Sequence, residues 1–223
     1  MTERGKFIAL EGIDGCGKTT QVDLLADWLP SSGLMPATAN LVVTREPGGT
    51  QLGQALREIL LNSTDDNQPA PMTELLLFMA DRAQHVAKVI KPALDRGDWV
   101  LCDRYHGSTV AYQGYGRGHH KENIASLMGI STGNLFPGLI LCIEVSIATS
   151  IQRRKHKDSD RFDEEDHGFL ERVNHGFHQL CQPNRATYAS PTHAAAWFKV
   201  NGEGSTEDVF TRCKAVLAGP PSP

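Results

Sequence analysis

The sequence has no apolar run approaching the roughly 20 residues needed to cross a bilayer, which excludes an ordinary membrane helix. It has no C-x-x-C, and its nine histidines show no metal-site spacing with cysteine or acid partners. Its five cysteines (Cys16, Cys102, Cys142, Cys181, Cys213) are odd in number and widely spread. That argues against a disulfide frame and for reduced thiols in a cytoplasm. It also lacks an excess of positive charge. With 22 Lys and Arg against 26 Asp and Glu, the net charge of −4 gives the whole molecule no attraction for nucleic acid. A chain of this balance that grips polyanions must concentrate its cations locally. There is no internal repeat and no guanine-reading N-K-x-D. The N-terminal MTERGKF runs straight into an apolar stretch, so no signal peptide is expected.

What remains is ordinary globular composition, 40% hydrophobic and 22% charged over 223 residues, enough for one well-buried domain. The expected layout is a single domain over residues 1–219 with a frayed tail at 220–223. Short apolar runs at 6–10, 41–44, 99–104, 139–145 and 195–200 read as strands. Helical patterns alternate with them, including 18–29, stopped by Pro30, a long segment from 73 to about 95, and 206–217. Continuously apolar strands alternating with helices predict an α/β fold with a five-stranded parallel sheet covered on both faces. Ligands of such sheets bind at the C-terminal ends of the strands.

The first strand exit carries EGIDGCGKTTQ. Gly12, Gly17, Lys18 and Thr19 fill G-x-x-x-x-G-K-[ST], a P-loop whose backbone N–H groups wrap a polyphosphate. The loop residues Gly12, Ile13, Asp14, Gly15, Cys16, Gly17, Lys18 and Thr19 are therefore the expected ATP-binding segment. Lys18 is expected to reach the β- and γ-phosphates and Thr19 to ligate Mg²⁺. Asp14 is out of place beside phosphate. A side chain directed at Mg²⁺ waters, or at a hydroxyl of a second substrate, resolves the conflict; simple solvation is the alternative.

Other strand exits carry TREPGGTQLG, with Arg45, and DRYHGSTVAYQGYGRG. In the latter, Arg104 can hold a phosphate, while Ser108, Thr109 and Tyr112 share a helix face. Thr109 and Gln113 offer the paired donor and acceptor that a base edge needs. In LFMADRAQH, Phe78 and Arg82 lie four apart on one helical face, suited to a planar heterocycle stacked and hydrogen-bonded. A core Phe beside a surface Arg explains that spacing equally well. IQRRKHKDSDRFDEED packs basic residues, among them Arg153, Arg154 and Arg161, after the fourth strand. Such a run is either a solvated face or a lid over phosphates, placed at about 152–164.

Taken in order, EGIDGCGKTTQ, TREPGGTQLG, LFMADRAQH, DRYHGSTVAYQGYGRG and the RRKHKDSDRFDEED lid resemble the thymidylate kinase family, bacterial type. The resemblance spans residues 7 to about 173. It implies a P-loop nucleoside-monophosphate-kinase fold and a homodimer in the cytoplasm that phosphorylates dTMP to dTDP with ATP and Mg²⁺, for dTTP biosynthesis. On that resemblance Asp14 holds the sugar 3′-hydroxyl and helps organise the metal, and Arg45 and Arg104 bind the dTMP phosphate. Phe78 stacks on thymine, Arg82 bonds its edge, and Tyr112 crowds the 2′ position. The sequence departs from the family at Pro137-Gly138, at Glu144, and at Gly15, where some relatives carry a basic residue. With glycine there, the catalytic cations beside Lys18 are expected from the lid: Arg153, Arg154 and Arg161. A kinase for another small acceptor, or a P-loop switch ATPase, shares single motifs but not the combination.

Overall fold

The computed structural model describes residues 4–63, 67–154, 162, 165–182 and 195–219. Five strands, β1 (Phe7–Glu11), β2 (Leu41–Arg45), β3 (Trp99–Asp103), β4 (Leu139–Glu144) and β5 (Ala196–Asn201), pair in the order β2-β3-β1-β4-β5. Every pairing is parallel, and each strand end falls within one residue of its expected bound. The α/β reading of the sequence holds.

Burial explains the order. All five residues of β1 are buried, as are four of β3, whereas β2 and β5 are largely solvent-facing edges. The central strands therefore carry the unbroken apolar runs. Alternation along β1 sends Ile8 and Leu10 into one core cluster, with Leu101, Leu141 and Ile143, and Phe7 and Ala9 into the other, with Val100 and Ile140. Each face is covered by helices.

The helices are α1 (Lys18–Trp28), α2 (Gln51–Asn62), α3 (Pro71–His85), α4 (Lys91–Asp95), α5 (His106–Thr109), α6 (Lys121–Thr132), α7 (Ile147–Arg154), α8 (His167–Leu180) and α9 (Thr206–Ala218). Pro30 does not break the chain abruptly; it sits inside a single 3₁₀ turn, Leu29–Ser31, because proline is tolerated in a first turn. The long segment expected over 73–95 is α3 and α4 joined by a wide π turn, Val86–Ile90, just before Pro92. Pro92 has no N–H to continue a regular ladder, which accounts for the loosened turn. A second π turn, Val110–Gly116, follows α5 and rotates Tyr112 and Gln113 away from regular helical positions. The lid, expected over 152–164, is described only at 152–154 and at Phe162, and the tail 220–223 lies outside the described residues.

Candidate active site

β1 ends at Glu11, and the chain turns at Gly12 (φ 145°) and Gly17 (φ 98°) before α1 begins at Lys18. A side chain at Gly12 would place its Cβ 2.4 Å from the Ile143 carbonyl oxygen, so only glycine fits against β4. Lys18 is buried along this loop, its Nζ donating to the carbonyls of Gly12 and Ile13 at 3.0 Å. The loop opens on a cleft of roughly 890 Å³ lined by Asp14, Lys18, Thr19, Arg45, Arg57, Asp103, Arg104 and Arg153. Thr19 Oγ1 donates to Asp103 Oδ2 at 2.6 Å, while Asp103 Oδ1 is buried with no hydrogen-bond partner among the described residues.

A second cleft, of roughly 550 Å³, lies beyond the exits of β2 and β3. It brings together Phe78, Arg82, Arg104, Ser108, Thr109, Tyr112 and Gln113, residues spread over 36 positions of sequence. Arg82 is nearly inaccessible and rigidly held. Its Nε donates to Glu46 Oε2 at 2.8 Å, Nη1 to Thr109 Oγ1 at 3.0 Å, and Nη2 to the Tyr105 carbonyl at 3.0 Å. Gln113 Nε2 donates to Glu74 Oε1 at 2.9 Å. Phe78 faces Phe162 with ring centroids 6.3 Å apart, and Phe162 packs edge-on to Tyr112 at 5.7 Å. The cleft is thus an aromatic slot with a fixed guanidinium at one edge.

Asp14 and Arg104 line both clefts, as do Glu46 and Arg57. Arg104 adopts φ 70°, a left-handed conformation that a residue with a Cβ rarely takes and that turns its side chain back over the loop. It donates to the Gly12 carbonyl (3.1 Å) and Ser108 Oγ (3.0 Å) and pairs with Asp14. Tyr112 Oη donates to the other Asp14 oxygen at 2.5 Å. Burial alone raises the Asp14 pKa, but the Arg104 and Lys18 charges and the Tyr112 hydroxyl outweigh it and hold the carboxyl well below its usual range. Burial, with Asp14 beside it, pushes Tyr112 well above the ordinary phenol range, so it remains a neutral donor.

Arg45 is exposed at the end of β2 and lines the phosphate-loop cleft, not the aromatic slot. Asp14 is held by Arg104 and Tyr112, so the carboxylate beside the Thr19 hydroxyl is Asp103 instead. Arg153 anchors α7 to the loop: its guanidinium donates to the carbonyls of Cys16 (3.4 Å) and Gly202 (3.1 Å). Arg154 is near enough to lower the Asp14 pKa, and Arg161 lies outside the described residues. Gly15 has a local reason to be glycine, since its Cβ would meet the Ser150 carbonyl oxygen at 2.5 Å. α7 occupies the space a basic loop residue would need. Cys16 is buried with Lys18 Nζ 3.6 Å from its sulfur. His106 is packed among Tyr105, Phe136 and Trp197.

Several contributors were not visible as such in the sequence. Glu11 is buried beneath the site and accepts from Tyr105 N (2.9 Å) and Ser108 Oγ (2.6 Å). Glu46 holds both Arg82 and His85 Nδ1 (2.9 Å), and Arg57 reaches both clefts. Asp103, Glu46 and Glu11 each sit at a strand exit within a quoted motif, which was the available signal. Glu74 stands four residues before Phe78 on the same face of α3, a spacing that also carried it.

Residues 10–193 match the model of a family described as thymidylate kinase. The thymidylate kinase of Synechococcus sp. (strain CC9311) is 56% identical over 178 residues, covering 80% of this chain and 84% of that one. That of Prochlorococcus marinus (strain MIT 9303) is 53% identical over 178 residues, covering 80% of this chain and 82% of that one. The crystal structure of thymidylate kinase from Ehrlichia chaffeensis superposes with a TM-score of 0.74 at 31% identity, over 96% of this chain and 99% of that chain.

Proposed function

The chain belongs to the thymidylate kinase family, and from that premise we propose how its two clefts divide the work of phosphorylating dTMP. The enzyme is a nucleoside monophosphate kinase that converts dTMP to dTDP, a step towards dTTP. The observation that carries the division of labour is the shared wall: Asp14 and Arg104 line both clefts, so donor and acceptor phosphates meet there.

In this reading ATP is the donor and occupies the P-loop cleft, with its phosphates wrapped by Gly12 to Thr19 and held by Lys18. The donor set beside it fits a hard divalent cation, since Thr19 Oγ1 and both Asp103 oxygens present adjacent oxygen ligands, one of them buried and otherwise unbonded among the described residues. Mg²⁺ bound there neutralises charge on the donor's phosphates. Asp14 then acts chiefly on the acceptor side, where its fixed negative charge suits the sugar hydroxyl and it keeps Arg104 in place.

dTMP occupies the aromatic slot. Phe78 supplies the stacking face, Arg82 and Gln113 the base edge with Thr109 bracing Arg82, and Tyr112 the wall beside the sugar. Arg104 and Ser108 lie at the phosphate end, with Arg45 on the donor side of it and Arg57 lining both clefts. The acceptor oxygen is already anionic, so transfer requires no strong base. The barrier is repulsion, about 4 kcal/mol for two unit charges ~4 Å apart at an effective dielectric near 20. Lys18, Arg104, Arg45 and the lid arginines Arg153, Arg154 and Arg161 offset it and hold donor and acceptor in line.

A homodimer is part of this proposal. Leu52 and Ile59 of α2 and Met72 and Leu76 of α3 are exposed on adjacent helices, an apolar face suited to a second copy. No described helix is long and apolar enough to cross a membrane, and all five cysteines are free, which supports a place in the cytoplasm. The deciding measurement is ADP release with and without dTMP. The proposal expects release to depend on dTMP and to collapse in a folded Lys18→Ala variant; equal release without dTMP would point to a P-loop ATPase instead.

A further inference from the structure

Away from both clefts, on the opposite flank of β4, two cysteines and a glutamate converge. Cys142 and Glu144 are two apart on β4, so the strand's alternation directs both to one face. The last turn of α8 and the residue after it bring His178 and Cys181, three apart, over that face. The Cys142 and Cys181 sulfurs and a Glu144 oxygen lie within 4.8 Å of one another. His178 Nδ1 is 3.6 Å from Glu144 Oε1. Ligand atoms around a tetrahedral zinc ion stand about 3.3–3.8 Å apart, so the cluster needs only a slight contraction to enclose one.

Glu144 supplies a second, independent sign. Its Oε1 is buried and has no hydrogen-bond partner among the described residues, an arrangement that is costly for a carboxylate oxygen. Its Oε2 pairs with Lys199, which stands opposite Cys142 on β5. Charge closes as well: two thiolates, one carboxylate, one divalent ion and the Lys199 ammonium sum to zero. Access is available, because His178 and Lys199 are about half exposed while Cys142 is fully buried.

We propose that Cys142, Cys181, Glu144 and His178 form a site for a borderline-soft divalent cation of the Zn²⁺ class, clamping the end of α8 to β4. The thiolate and imidazole set selects such an ion over Mg²⁺ or Ca²⁺. On binding, the metal replaces the two thiol protons, which leave to solvent. His178 Nε2 lies 3.0 Å from the Gln182 side-chain amide, which fixes the ring with Nδ1 towards the ion once the amide turns its oxygen to accept from Nε2–H. The clamp would also steady the strand ends that hold Arg153, since Gly202 N donates to the Glu144 carbonyl at 2.7 Å and Gly202 O accepts from Arg153.

The test titrates the reduced full-length chain with Zn²⁺, and separately with Co²⁺ as a spectroscopic substitute. One ion per chain, a raised Tm, and the near-ultraviolet thiolate-to-cobalt absorption are expected. Cys181→Ser, half-buried and outside the catalytic clefts, is expected to weaken binding by at least ~100-fold, beyond the ~10–100-fold typical of losing a residue that only supports a ligand. It should abolish the Tm rise while leaving dTMP kinase turnover, assayed with Mg²⁺ and without added Zn²⁺ or Co²⁺, intact, which also verifies folding. His178→Ala is expected to weaken binding about tenfold or more. Unchanged affinity in either variant, a cobalt spectrum without the sulfur absorption, or a Cys142–Cys181 disulfide in place of metal uptake overturns the site.

Discussion

Tyr112 donates its hydroxyl to Asp14 and sets its ring against Phe162, so a single side chain links the loop carboxylate to the aromatic slot, where it is proposed to wall the sugar. Its loss should therefore be read in substrate choice. Tyr112→Ala is expected to erode the preference for dUMP over UMP on the order of tenfold, about 1.4 kcal/mol, measured as a ratio of kcat/KM values. An unchanged ratio would show that the residue does not read the sugar. The missing 5-methyl of dUMP should itself cost only about 1–3 kcal/mol, leaving dUMP poor but detectable. Asp81 makes a pH prediction. Burial, and then the neighbouring Glu46, raise its pKa from 3.8 to about 6. The folded protein therefore holds a proton there that the unfolded chain has released. Its stabilising contribution is complete below about pH 4 and is lost as pH rises through about 6. Asp81→Asn keeps the oxygen that accepts from Gly48 N at 3.1 Å and removes the charge. It should raise Tm by a few degrees at pH 7.5, at most about 3 kcal/mol, and change it little near pH 4. Equal Tm differences at both pH values would show that Asp81 does not titrate in this window. Asp81 could not be singled out from sequence, since carboxylates beside arginines are common and only packing buries it beside Glu46.

α7 illustrates why element-level reading reached further than residue-level reading. A basic segment after the fourth strand was legible as a solvated face or a lid, and its first turns wedge against Gly15 and exclude any side chain there. The lid arginines Arg153, Arg154 and Arg161 are then the proposed further source of charge for the transition state. A cation delivered on closure acts mainly in that state, so its removal should lower kcat more than it raises KM. Arg153→Ala, Arg154→Ala and Arg161→Ala, assayed singly with both Michaelis constants, should include one drop on the order of 10³-fold in kcat. If all three keep kcat within about twofold, the run is a solvated face. Arg153→Ala should also lower Tm, because Arg153 ties α7 to the carbonyls of Cys16, Gly202 and Gly204. The wide turn at Val110–Gly116 was the element feature that periodicity missed. Tyr112 and Gln113 both line the slot from this turn.

For the whole molecule, the apolar face of α2 and α3 makes association the expected state. Leu52→Glu combined with Met72→Glu should shift the chain to a monomer in sedimentation at micromolar concentration, whereas a dimer surviving both would place the interface elsewhere. The sequence by itself determined the strand and helix order, the sheet's parallel character and the P-loop, because each rests on local periodicity or on a contiguous glycine spacing. It also supplied the side chains of the slot by resemblance. Only the tertiary structure decided their partners. Asp14 faces Arg104 across 90 residues of sequence, Thr19 faces Asp103 across 84, and Gly15 is closed off by Ser150. Whether a carboxylate meets a cation, a hydroxyl or a metal depends on which strand exits the sheet places side by side. Long-range parallel pairing sets that, and no local pattern encodes it.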